Sequence, residues 1–294
     1  MLVLLAFHAT AASVARADDE PDPRWNLAGW TPSLSLGIGV HVTPVEGFVI
    51  ATNSAGDTIR PPQDDDNQAI TPIARISFGV ETPEIPAIPG NIRFFGSVDY
   101  FVSFPPDLKV ANEGSPTGFF VPPGFSNPPA AAIEGQGSQT SLQMNRSSYG
   151  LTGGVSIPID IGEFRFHIKP GVSWMRQQWD VKGVVLAAEK AAFPPSRNFR
   201  GIELRARGKL YSSGVGPYLA IETQPESWGP VLVSAFVEAA YYRALGERKM
   251  NFTDAKTYTG NFLPPDTYLG RWGIEVDEYF WKTGIGIRIF LAAE

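Results

Sequence analysis

The chain has 294 residues, with no cysteine, 30 glycines and 26 prolines, and its formal net charge is -6. The lack of cysteine excludes a disulfide framework and a zinc-thiolate site. No basic block occurs along the sequence, which argues against a nucleic-acid ligand because phosphate binding needs clustered Lys and Arg. Aromatic residues make up 12% of the chain and charged residues only 18%. This composition favours β-strands packed against an apolar environment.

The amino-terminal residues have the pattern of an export signal. Residues 2–15 are apolar or small, and Ala15, Arg16 and Ala17 supply the small-x-small pattern of a signal-peptidase site. We therefore expect 1–17 to be a signal peptide and 18–30 to be a periplasmic segment. A short buried helix is the alternative. No run of 18 apolar residues follows, so we expect no membrane-spanning helix.

Eight stretches of the chain alternate apolar and polar residues, which is the period of a strand with two different faces. In the fifth stretch, Phe164, Phe166 and Ile168 alternate with Arg165 and His167. The stretches lie near residues 34–42, 74–81, 92–104, 149–159, 164–174, 199–222, 231–241 and 281–291. They predict an all-β chain of eight antiparallel, up-and-down strands.

The sixth stretch changes phase along its length. Leu204 and Leu210 share one parity, whereas Leu219 and Ile221 share the other. The change falls near Ser212, and it predicts a β-bulge there.

The connections between these stretches alternate in length. Short turns lie near 82–91, 160–163 and 223–229, and long loops are predicted near 43–71, 105–147, 186–198 and 245–270. All the long loops therefore fall at one end. The stretch 105–147 is rich in Pro, Gly, Ser and Ala, which predicts an irregular and mobile loop. A tall first hairpin that uses Phe48, Val49 and Ile50 is an alternative for the first loop.

Aromatic or apolar residues recur ten positions apart on the apolar face of five stretches, as at Phe164 and Trp174. At a rise of about 3.3 Å and a tilt of about 40°, ten residues span roughly 25 Å, the height of the apolar band of an outer-membrane barrel. The predicted aromatic girdle consists of Phe94, Phe104, Tyr149, Phe164, Trp174, Tyr241 and Trp281. A soluble barrel of lipocalin type, with its apolar face inward, is the alternative.

The polar face combines small residues with charges of both signs. Gly and Ser recur there, as the narrow interior of an eight-stranded barrel requires. Charges sealed inside such a barrel must pair, because one buried unpaired ion costs several kcal/mol. The predicted interior ion-pair network consists of Arg75, Asp99, Lys169, Glu238, Lys282 and Arg288. A solvated face is the alternative.

Together with the carboxy-terminal strand Tyr279 to Leu291, these features resemble the eight-stranded outer-membrane β-barrels of Gram-negative bacteria. Examples of this class are the transmembrane domain of outer membrane protein A and the outer membrane protein W family. The resemblance covers about residues 31–292. The class usually ends on an aromatic residue, whereas Phe290 is followed here by four more residues.

The resemblance implies a transmembrane β-barrel, formed by residues 31–294, in the cell outer membrane. Its implied partners are outer-membrane lipid, lipopolysaccharide and the outer-membrane insertion machinery, and we expect a monomer.

The search for catalytic or ligand-binding patterns gives little. His41 and His167 lie on polar faces and are expected to be packing residues, and the Asp64 to Asp66 run is expected to be a solvated loop. We therefore expect no enzyme activity, no metal and no cofactor. Arg205, Arg207 and Lys209 continue the sixth stretch beyond the predicted membrane, and we hypothesise that they meet lipopolysaccharide phosphates or an external ligand.

The sequence thus predicts a non-enzymatic integral outer-membrane barrel with a packed polar interior. It would act in envelope structure or in surface interaction through its long loops. The first alternative is a narrow channel or conduit for small or apolar molecules, and the second is a soluble, exported, lipocalin-like ligand-binding barrel.

Overall fold

The computed structural model describes residues 30–56, 58–85, 90–104, 108–113, 137–190, 199–259 and 265–291. Every regular element in these ranges is a β-strand, and all the strand pairs are antiparallel. The strands are β1 (Thr31–Thr52), β2 (Thr58–Glu81), β3 (Arg93–Ser103), β4 (Leu108–Glu113), β5 (Gly137–Met144), β6 (Ser147–Ile161), β7 (Phe164–Lys190), β8 (Phe199–Thr223), β9 (Glu226–Trp228), β10 (Val231–Leu245), β11 (Lys249–Tyr258), β12 (Asp266–Val276) and β13 (Tyr279–Leu291). The described part of the chain contains no helix that is long and apolar enough to cross a membrane. The predicted signal peptide, 1–17, lies outside the described residues.

Eight strands close into a ring, in which each strand pairs with the next ring strand along the chain. The ring consists of β1, β2, β3, β6, β7, β8, β10 and β13. β1 closes it by pairing with β2 on one side and β13 on the other, so that Gly37 lies opposite both Arg75 and Gly286. The predictions of an all-β chain and of eight antiparallel segments in sequence order are confirmed. Five further strands were not predicted.

The stagger of the ring sets the tilt of its strands. We start at Thr71 of β2 and step round the ring from each residue to its paired residue on the next strand. The path returns to β2 at Glu81, ten residues further along the chain. With eight strands about 4.8 Å apart and a rise of about 3.3 Å per residue, this stagger corresponds to a tilt of about 40°. The tilt allows heights on different strands to be compared.

Pairs of inward-facing glycines allow the tight curvature that a ring of eight strands needs. Gly39 lies opposite Gly284, and Gly154 lies opposite Gly171. A Cβ atom on Gly39 would overlap the carbonyl oxygen of Thr283 on the neighbouring strand. Only glycine fits at such a corner without moving the backbone.

At the end opposite the short turns, four ring strands continue beyond the ring and are joined by four additional strands. We call this part the extension. It consists of two four-stranded sheets, with the orders β11-β12-β1-β2 and β4-β5-β7-β8. Their facing sides share an apolar core, and Trp272 of one sheet lies directly against Gly183 of the other.

Strands of the extension occupy most of the described residues that were predicted to form long loops, so that prediction is wrong there. Residues 43–71 continue β1 and β2 as a tall hairpin, the alternative noted above, and 245–270 contains β11 and the start of β12. Within 105–147, β4 and β5 replace the described part of the predicted irregular loop, and 114–136 lies outside the described residues. β7 runs to Lys190, which leaves 191–198 outside the described residues. Turn-forming residues suggested loops, but burial of alternate apolar side chains in the core of the extension favours strands.

The predicted bulge in β8 is wrong. β7 and β8 stay in register from Phe166 opposite Thr223 to Lys190 opposite Phe199, without a shift. The parity of β8 is therefore constant. Leu204 and Leu210 point inward and are buried, whereas Leu219 and Ile221 point outward and are exposed. The apolar residues change sides because the environment on each side changes, not because the strand does.

Candidate functional site

The outer wall of the ring is apolar on all its faces. Ile38 is 65% exposed, Val98 58% and Ile285 56%, although each belongs to a well-paired strand. Further exposed apolar residues on the wall are Leu36, Ile76, Phe78, Leu151, Val172, Leu219, Ile221, Val237 and Ile287. An apolar surface of this extent is unusual for a protein surrounded by water.

The seven predicted girdle residues occupy two levels of this wall. Phe94 and Phe164 lie at the short-turn end, and the other five lie where the ring meets the extension. Six of the seven are exposed, and Trp174 is half-buried. Allowing for the tilt, the two levels are separated by roughly 25 Å. The residues of the upper aromatic level are Phe104, Tyr149, Trp174, Tyr241 and Trp281.

Inside the ring, near the short turns, four charged side chains form the turn-side cluster. Glu222 Oε2 lies 2.6 Å from both Lys169 Nζ and Arg288 Nη1. Glu81 also pairs with Lys169, and its Oε1 lies 3.5 Å from Arg288 Nη1. All four side chains are buried. Each carboxylate thus contacts both cations.

A second group, the central cluster, lies between the turn-side cluster and the extension. Arg75 donates to Asp99 Oδ1 from Nη2 at 2.6 Å and from Nε at 3.0 Å, and it also pairs with Glu238. Lys282 Nζ lies 3.2 Å from Glu238 Oε1 and 4.6 Å from the centre of the Phe101 ring. All these side chains are almost fully buried.

Neutral groups complete the central cluster and separate it from the turn-side cluster. The Tyr218 hydroxyl donates to Glu238 at 2.9 Å, and the Thr152 hydroxyl donates to Asp99 at 2.8 Å. The Phe236 ring lies between the clusters, with the Arg75 and Arg288 guanidinium carbons 5.7 and 5.6 Å from its centre. Hydrogen bonds and ring contacts of this kind reduce the cost of burying charge.

The two clusters together contain four cations and four anions, so their formal charges cancel. The structure brings all six predicted network residues into them. The predicted network left out Glu81, although alternation puts it on the polar face, and it missed Glu222; both lie at strand ends beside the short turns. The alternation of β2 and β8 places both side chains inward, and this was the signal that the sequence offered. A charged residue next to a turn is, however, equally typical of a solvated side chain.

The interior of the extension is mainly apolar, in contrast to the interior of the ring. Trp179, Trp272 and Tyr268 are fully buried there, and Phe280 is fully buried at the adjoining end of the ring strand β13. Tyr242 and Phe280 stack with their ring centres 4.9 Å apart, just above the central cluster. Large side chains therefore fill the axis between the ring and the far end of the described extension.

The two histidines among the described residues lie in different surroundings. His41 is fully buried, with Nδ1 3.3 Å from the Thr43 hydroxyl and its ring centre 5.2 Å from that of Phe280. Its Nε2 has no hydrogen-bond partner among the described residues. His167 is half-buried near the short turns, with Nδ1 3.3 Å from the Ser156 hydroxyl.

The predicted acidic loop lies on β2, where Asp64 and Asp66 are exposed. Within the described ranges, no group of three or more His, Asp or Glu side chains is placed to hold a metal ion.

The comparisons with known proteins add no relative. No protein-family model matches the chain, and no curated protein matches it.

Proposed function

We propose that this chain is a non-enzymatic β-barrel protein that spans the bacterial outer membrane through its ring and presents the extension as a rigid structure outside the bilayer. The proposal rests on one observation along β7. Between the ring and the extension, the outward face of this strand changes from apolar to polar and its inward face from polar to apolar. In the ring, Val172 points outward and Lys169 inward, whereas in the extension Lys182 points outward and Trp179 inward. β8 reverses in the same way at the same level.

A bilayer accounts for this reversal because it supplies two solvents to one continuous strand. Hydrocarbon around the ring favours apolar outward side chains and leaves the polar ones to pair inside. Water around the extension favours charged outward side chains and an apolar core. The separation of roughly 25 Å between the aromatic levels matches the apolar band of outer-membrane barrels. A soluble barrel would need polar residues outside at both levels.

The filled interior favours an anchor or scaffold over an open channel. The paired charges occupy the ring, and the aromatic core occupies the extension. Envelope structure or surface interaction through the extension is therefore the role that we propose. Outer-membrane lipid, lipopolysaccharide and the insertion machinery are its proposed partners, with the chain acting as a monomer.

A substitution on the outer wall tests the membrane assignment. Ile287→Arg places a charge near mid-height of the apolar wall, and we expect it to lower the unfolding free energy in phosphatidylcholine vesicles by about 2–4 kcal/mol. Asn251→Arg, on the exposed outer face of β11, is the control and should change it by less than about 0.5 kcal/mol. Urea titration of the vesicle-inserted chain provides the measurement. Equal, small effects of the two substitutions, or a native monomer in detergent-free buffer, would contradict the proposal.

A narrow lateral conduit for small or apolar molecules is a second candidate, favoured by a gap in the wall of the extension. A pocket of about 140 Å³ lies where β2 faces β4 and β5, and its lining includes Leu108, Leu142, Met144 and Trp179. β2 and β4 are in contact there without a ladder of backbone hydrogen bonds. Planar-bilayer recordings separate the two roles, since reproducible discrete openings would support the conduit and a silent membrane supports the anchor.

A further inference from the structure

One flank of the extension carries a row of cations that only the strand pairing brings together. Lys109 of β4 lies opposite Ser141 of β5, Ser141 lies opposite Lys182 of β7, and Lys182 lies opposite Arg207 of β8. The row thus crosses four adjacent strands. Lys109 and Arg207 are exposed and Lys182 is partly exposed, whereas Val181 next to Lys182 is buried. The charged side chains therefore point outward.

This arrangement is unfavourable unless an anion is present. Lys182 and Arg207 are directly opposite on one face, about 5 Å apart at Cβ, where like charges destabilise a strand pair. Among the described residues, no carboxylate forms an ion pair with any of the three cations of the row. The nearby Glu203 pairs with Arg205, and Asp180 accepts a hydrogen bond from Gln178 at 3.3 Å.

The opposite flank at similar height has the reverse charge. Glu46 of β1 lies opposite both Asp66 of β2 and Glu275 of β12. The cationic row is therefore a local feature of one flank and not a general property of the surface of the extension.

The height of the row selects the kind of anion. With a strand tilt of about 40°, Arg176 lies level with the upper aromatic residues, whereas Lys109, Lys182 and Arg207 lie roughly 10–20 Å beyond them. The phosphate of an ordinary phospholipid lies at the edge of the apolar band and would reach Arg176 but not the row. Phosphates on a longer saccharide head group would reach it.

We propose that this row binds the phosphate groups of a glycolipid whose phosphorylated saccharide core extends away from the bilayer. The proposal rests on the membrane-spanning function proposed above. Lys182 and Arg207 hold one phosphate between them through charge-assisted hydrogen bonds, and Lys109 contacts a second anionic group. Binding removes the repulsion within the row and fixes the extension against the surrounding lipid.

Urea unfolding of the mature chain in phosphatidylcholine vesicles tests the proposal. The additives are a lipopolysaccharide that retains its phosphorylated inner core, diphosphoryl lipid A without a core, and soluble pyrophosphate. We expect the core-bearing glycolipid to raise the unfolding midpoint more than lipid A does, and pyrophosphate to have little effect. An equal gain from lipid A or from pyrophosphate would overturn the proposal.

The variant K109S/K182S/R207S should bind the core-bearing glycolipid roughly 100-fold more weakly, because each cation near a charged lipid surface contributes about 1 kcal/mol. Without glycolipid it should unfold at the same or a higher urea concentration than the native chain. The control E46S/D66S, on the acidic flank, should keep the full gain. If the core-bearing glycolipid raises the unfolding midpoint of the triple variant as much as that of the native chain, the proposal is overturned, even if the chain inserts into vesicles. Failure of the native chain to insert would overturn both the function and this site.

Discussion

Glu238 is the residue on which the central cluster depends. It contacts Arg75, Lys282 and the Tyr218 hydroxyl, and its side chain is only 3% exposed. Glu238→Gln keeps the shape but leaves two cations facing one negative charge, that of Asp99. Because a buried ion that loses its partner is strongly destabilising, we expect a loss of about 3–5 kcal/mol in unfolding free energy. Urea titration in vesicles provides the measurement, with the exposed Glu163→Gln as the control.

A second substitution distinguishes lost charge balance from lost packing. Adding Lys282→Met to Glu238→Gln removes the cation that lies against Phe101 and restores a neutral cluster, so part of the lost stability should return. A double-mutant cycle measures this coupling. Additive losses would contradict the assignment of a charge-balanced interior.

At the residue scale, the sequence identified most of the interior charges but only Arg207 of the cationic row. A charge at an inward position of an alternating strand is visible in one stretch of sequence, as for Arg75 and Glu238. The row is different, because Lys109, Lys182 and Arg207 are far apart in the chain and meet only through strand register. Register depends on backbone pairing that no local pattern specifies.

At the element scale, β8 shows what alternation can and cannot predict. Its period-2 pattern correctly predicted a strand, but the change of phase was attributed to a bulge. The same change of phase arises in two ways. It is produced by a bulged strand in one environment or by a regular strand that crosses between two environments. The continuous pairing of β7 with β8 distinguishes them. The tall β1–β2 hairpin was obscured similarly, because Pro and Asp in 43–71 suggested a loop.

The glycine corner of β1 and β13 makes a prediction about ring closure. Gly39→Ala would put a methyl group against the Thr283 carbonyl oxygen, whereas the nearest atom to a Cβ on Gly96 is 4.0 Å away. Since overpacking typically costs about 1–3 kcal/mol, we expect Gly39→Ala to lower the unfolding free energy by that amount and Gly96→Ala to change it little. The measurement is the temperature at which the band of the folded chain is lost on gels of samples heated stepwise, compared between the two variants. Equal stability of both variants would show that the corner is not tight.

At the scale of the whole molecule, the ring and the extension are one continuous structure with opposite distributions of polarity. The number of ring strands, their order and the apolar outer face of the ring could be predicted, because each follows from alternation along the chain. The extension could be predicted only in part, at the sixth stretch and as the alternative of a tall first hairpin, since its two sheets combine strands distant in sequence and its core is recognisable only once they pack. Closure of the axis by Trp179, Trp272 and Phe280 likewise results from that packing.

The most direct test of the account uses the absence of cysteine. Single cysteines can be introduced and labelled without first removing any native cysteine. Labels at Ile38, Val98 and Ile285 probe the outer wall of the ring, and labels at Glu46 and Asn251 probe the outer face of the extension. After insertion into vesicles, bromolipids should quench fluorophores at the three ring sites, and aqueous iodide should quench those at the two extension sites. Iodide quenching at all five sites would contradict the claim that hydrocarbon surrounds the ring.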